Sequence, residues 1–106
     1  MNGPIRRAEP ERGDLLGTIT GAKNVPLPGV NVSILNLKTN KVSKTDTDED
    51  GKFLVSNLEV GSYRLTASLV GYSDIRKDVR INPNQPVNLK LTMKTLKPKP
   101  NNKGKG

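Results

Sequence analysis

No histidine and no cysteine occur among the 106 residues, and the aromatics are limited to Phe53, Tyr63 and Tyr72. Without histidine the chain lacks the side chain that most often moves protons near neutral pH. Without cysteine it has neither a thiolate nucleophile nor a disulfide. Triads built on these residues, and zinc sites of the usual ligand types, are therefore excluded. A cysteine-free domain folds equally well in reducing and oxidising compartments, so composition leaves the compartment open. Apolar residues make up 32% of the chain, and the core must be assembled mainly from Val, Leu and Ile. No apolar run approaches the roughly 18 residues of a membrane span. The segment from Met1 to Gly13 lacks the apolar middle of a signal peptide, so no membrane insertion is expected.

The length fits one domain with loose ends. The formal net charge of +8 invites a nucleic-acid reading, but its distribution argues against one. Residues 94–106 hold five lysines and no acid, whereas residues 14–93 carry only +2. The sequence predicts a disordered head over residues 1–13, a folded domain over residues 14–93 and a basic, disordered tail or linker over residues 94–106. A lysine tail could attract an anionic polymer, yet it has no aromatic on which a base would stack, and no specific nucleic acid is expected as a partner.

Within the folded span the dominant period is two. Val87, Leu89, Leu91 and Met93 alternate with polar residues, as do Val30, Val32 and Ile34, and Tyr63, Leu65, Ala67 and Leu69. Further strands fit at Leu15 to Thr20, Lys41 to Lys44, Lys52 to Ser56 and around Val79 and Ile81. Turn chemistry separates them: Pro26 and Pro28 precede Gly29, Asp50 precedes Gly51, and Gly61 follows Val60. Seven short strands with no helical period predict an all-β, seven-stranded antiparallel Greek-key sandwich. Its inward residues are expected to be Ile19, Val30, Val32, Ile34, Phe53, Val55, Leu58, Tyr63, Leu65, Leu69, Val79, Ile81, Leu89 and Leu91.

Five motifs then occur in order: Gly17-Thr-Ile-Thr, Pro26-Leu-Pro-Gly-Val-Asn-Val32, Thr45-Asp-Thr-Asp-Glu-Asp-Gly-Lys-Phe53, Leu58-Glu-Val-Gly-Ser-Tyr-Arg-Leu65 and Val70-Gly-Tyr72. Together they resemble the carboxypeptidase regulatory-like domain, a transthyretin-like (prealbumin-like) sandwich. The resemblance implies a non-catalytic accessory module, part of a larger cell-envelope or extracellular protein. Its partner would be an adjoining domain or another protein, held for instance by strand addition, and the domain itself would be a monomer.

The sharpest chemical signal is Asp46-Thr-Asp-Glu-Asp-Gly51, with carboxylates at Asp46, Asp48 and Asp50. This spacing matches the first half of a calcium loop, in which alternate carboxylates converge on the ion and glycine permits the bend. A complete EF-hand loop would need a glutamate where Asn57 stands, and Glu59 lies two residues too far. Two readings follow: a hairpin turn in which aspartates cap backbone N–H groups, or a calcium site that stiffens a spacer or adhesion-type domain of a surface protein. No other cofactor and no catalytic residue is expected.

Overall fold

The computed structural model describes residues 11–96. The expected head and tail otherwise lie outside the described residues. Seven strands are present: β1 (Arg12–Thr20), β2 (Asn31–Asn36), β3 (Val42–Asp46), β4 (Lys52–Glu59), β5 (Gly61–Ser68), β6 (Ile75–Ile81) and β7 (Val87–Thr92). They form a three-stranded sheet in the order β4-β1-β7 and a four-stranded sheet in the order β3-β2-β5-β6. Alternation places one face of each sheet against the other and leaves the second face wet.

One ladder departs from the antiparallel expectation. Strands β1 and β7 run parallel, with Leu15 opposite Val87 and Ile19 opposite Leu91. Side-chain period reports which face is buried and is blind to strand direction. The remaining ladders are antiparallel.

The core contains Ile19, Val30, Val32, Ile34, Phe53, Leu58, Tyr63, Leu65, Val79, Ile81 and Leu91, as expected, while Val55, Leu69 and Leu89 are partly buried against it. Leu15, Leu27, Ala67 and Met93 join them beyond the expected set. Each large apolar side chain withdrawn from water contributes about 1.5–3 kcal/mol before entropy is counted. The Phe53 ring reaches the core because it lies over Gly17, where an added Cβ would sit 2.2 Å from a ring carbon.

Three strands run longer than their apolar pattern indicates. Strand β4 continues to Glu59 through a bulge: Leu15 pairs with Val55 but Gly13 pairs with Leu58, so three steps on β4 match two on β1. Asn57 takes the extra step at φ 65°, and its N–H donates to Asp14 Oδ1 at 3.0 Å. The bulge returns Leu58 to the core face, where a strict alternation from Phe53 would have aimed it at solvent. Strand β6 begins at Ile75, since Arg76, Lys77 and Asp78 are charged yet still pair with β5. At the edges of the domain, Arg12 already belongs to β1, and Thr95 bridges back to Tyr72.

Candidate interaction surface

The acidic segment forms the corner where the chain leaves the four-stranded sheet at β3 and enters the three-stranded sheet at β4. Asp46 closes β3 opposite Asn31. Asp48 Oδ1 accepts from the N–H groups of Asp50 (2.8 Å) and Lys52 (2.9 Å). The Asp48 backbone closes the turn, donating to the Lys52 carbonyl and accepting from Gly51 N–H. This is an Asx-type turn, in which a carboxylate substitutes for missing backbone partners. Among the described residues no three His, Cys, Asp or Glu side chains are grouped so as to hold a metal ion.

Between two of these acids lies Thr47, which is buried. Its Oγ1 donates to the Leu27 carbonyl (2.6 Å) and accepts from Val30 N–H (2.9 Å). Its own backbone exchanges bonds with Gly29 N–H and the Val30 carbonyl. Gly51 completes the corner: its carbonyl accepts from Ile19 N–H at 2.7 Å, and at φ +74° an added Cβ would stand 2.4 Å from the Ile19 carbonyl oxygen. Of the three aspartates, Asp48 alone has side-chain hydrogen bonds to other described residues, and both are to the backbone of its own turn.

A second polar cluster closes the opposite end. Asn36 is buried, and its Oδ1 accepts from Lys38 and Thr39 N–H groups in the β2–β3 turn. Its Nδ2 donates to the Tyr63 hydroxyl, which donates to the Glu59 carbonyl at 2.7 Å. Burial pushes the Tyr63 phenol above its ordinary value and the nearby Glu59 charge adds to this, while the Asn36 hydrogen bond opposes the rise. The sequence signal for this cluster was an asparagine heading a Leu-Lys-Thr-Asn turn, a pattern typical of Asx turns.

The outer face of the four-stranded sheet is polar. Cross-strand rows set Lys44, Ser33, Thr66 and Arg76 side by side, then Val42, Leu35, Arg64 and Asp78. Arg64 Nε donates to Asp78 Oδ1 at 3.1 Å in an exposed pair, worth at most about 1 kcal/mol. A shallow groove of about 640 Å³ crosses the start of β2, with Ser33, Lys44, Asp46 and Ser68 on its walls. It is open to solvent, and Lys44 and Asp46 on its walls form no salt bridge with each other.

The model of the carboxypeptidase regulatory-like domain family matches residues 14–94. The comparison with curated proteins gives no match. Among solved structures, the Bacillus anthracis TIE protein superposes with a TM-score of 0.71 at 21% identity, over 81% of this chain and 17% of that one. The minor pilin of the Gram-positive pathogen Streptococcus agalactiae gives 0.68 at 20% identity, over 83% and 46%. The 3-chlorocatechol 1,2-dioxygenase of Rhodococcus opacus gives 0.70 at 11% identity, over 88% and 63%. The chain spans less than two thirds of the length of each, and at these identities the likeness is one of fold.

Proposed function

The chain belongs to the carboxypeptidase regulatory-like domain family, and from that premise we propose that it is a non-catalytic accessory and protein-interaction module of a larger cell-envelope or extracellular protein. The observation that carries this reading is the use of the polar side chains. Asp48, Thr47, Asn36 and Tyr63 direct their hydrogen bonds to the turns that hold the two sheets together, and among the described residues no hydrogen bond joins a hydroxyl to a carboxylate or a lysine side chain. The dioxygenase likeness supports a shared sandwich and extends to no chemistry, since this chain lacks histidine altogether.

The chain crosses between sheets after β1, β3, β4 and β6, an order that supports a Greek-key, transthyretin-like arrangement. Similarity in fold to a minor pilin of Streptococcus agalactiae and the major pilin subunit of Bacillus cereus supports a place among surface proteins. The test is exposure on intact cells. A membrane-impermeant, amine-reactive reagent should label the domain's lysines before lysis as efficiently as after it; labelling only after lysis would contradict the envelope assignment.

A further inference from the structure

We propose that the free edge of β6 docks an extended, acidic segment of a partner protein, which adds to the four-stranded sheet as a further strand. The inference rests on the reading of the chain as an interaction module and gives that module a site and a ligand class.

Four strands are edges: β3, β4, β6 and β7. Three of them are poorly suited to accept a strand. Strand β3 has five residues and is fastened at its end by the Thr47 corner. The bulge at Asn57 breaks the β4 edge. Strand β7 is entered through Pro86, which has no N–H to offer. Strand β6 runs seven residues without a register shift and among the described residues pairs with β5 alone. Its length, about 23 Å at roughly 3.3 Å per residue, suits a strand of ordinary size.

The charges on β6 select the occupant. Arg76, Asp78 and Arg80 point to the outer face, in register with Thr66, Arg64 and Ser62. Asp78 is already engaged by Arg64, and Arg80 reaches only the Ser62 hydroxyl at 3.4 Å. Lys77 lies opposite the buried Leu65, on the core-facing side, yet it is exposed, and among the described residues no further strand pairs along that margin. An inward-pointing lysine on an edge opposes pairing with a neutral strand or with a second copy, which would confront three cations with three more. An antiparallel strand with one carboxylate opposite Lys77 and others opposite Arg76 and Arg80 escapes that penalty. The half-buried Ile75 and the buried Val79 flank Lys77 on the inner side, so the matching segment sets apolar residues opposite Ile75 and Val79 and acids opposite Arg76, Lys77 and Arg80.

The test uses the full chain and a probe peptide, acetyl-VEVTEEV-amide, followed by amide NMR. Saturable shifts are expected at residues 75–81, absent with acetyl-VKVTKKV-amide and absent when the probe's backbone is N-methylated. The R76E/K77E/R80E variant, checked for unchanged Leu15 and Phe53 amides, should weaken the acidic probe at least about tenfold and reverse the preference between the two peptides. Equal binding of the lysine peptide, binding that survives N-methylation, or no shift along β6 at millimolar probe would overturn the proposal. These outcomes are read on the isolated chain and stand apart from the cell-labelling result.

Discussion

The β3–β4 corner and strand β6 are both crowded with charge, and they use it in opposite ways. At the corner Asp48 is bonded to two backbone N–H groups, and Thr47 stitches the β1–β2 connection to the end of β3. On β6 the cations Arg76 and Lys77 make no side-chain hydrogen bond or salt bridge to another described residue. The corner's polar groups are internal partners of the fold, while those of β6 stand beside an unfilled ladder. Within a motif that has the spacing of a metal loop, Asp48 caps the turn, and a stretch with no recognisable motif carries Arg76 and Lys77 along the edge of the sheet.

The contrast breaks first if Gly51 tolerates a side chain. Gly51→Ala places a Cβ against the Ile19 carbonyl at a left-handed φ, and a loss of about 2–4 kcal/mol is expected in urea unfolding. Thr47→Val keeps the shape but strips Val30 N–H and the Leu27 carbonyl of a buried partner, at about 2 kcal/mol. Tyr63→Phe sharpens the picture at the opposite end, where the lost hydroxyl bonds should cost about 1 kcal/mol. Tyr63 also makes a pH signature. Its folded pKa lies above the unfolded value of 10.0, so its contribution is fully present below pH 10 and is lost as pH rises through the folded pKa. Above about pH 10 the wild type should therefore lose stability more steeply than Tyr63→Phe. The smallest effect belongs to β6: Lys77→Ser should change unfolding by less than about 0.5 kcal/mol, because an exposed, unpaired charge supports no packing.

Much of this was legible in the residues. The alternating runs around Val32, Leu65 and Leu89 reported faces correctly, because a half-buried strand needs only that period. Strand direction was not legible, which is why the parallel β1–β7 ladder was missed. The bulge at Asn57 was hidden as well, since it depends on Asp14, 43 positions away. The first half of β6 read as loop because its charges mask the period; only pairing with β5 makes it a strand. At the corner, the sequence located the acids and favoured capping over metal binding, although the same spacing serves either. Thr47 drew no notice among them, although its buried hydroxyl organises the turn.

The measurement that bears most directly on this account is an amide NMR titration of the chain with calcium. If the corner's carboxylates are fasteners, the amides from Asp46 to Phe53 should show no saturable shift at millimolar calcium. Saturable shifts confined to that segment and lost in Asp48→Asn would contradict the account, and the corner would then have to be read as a site.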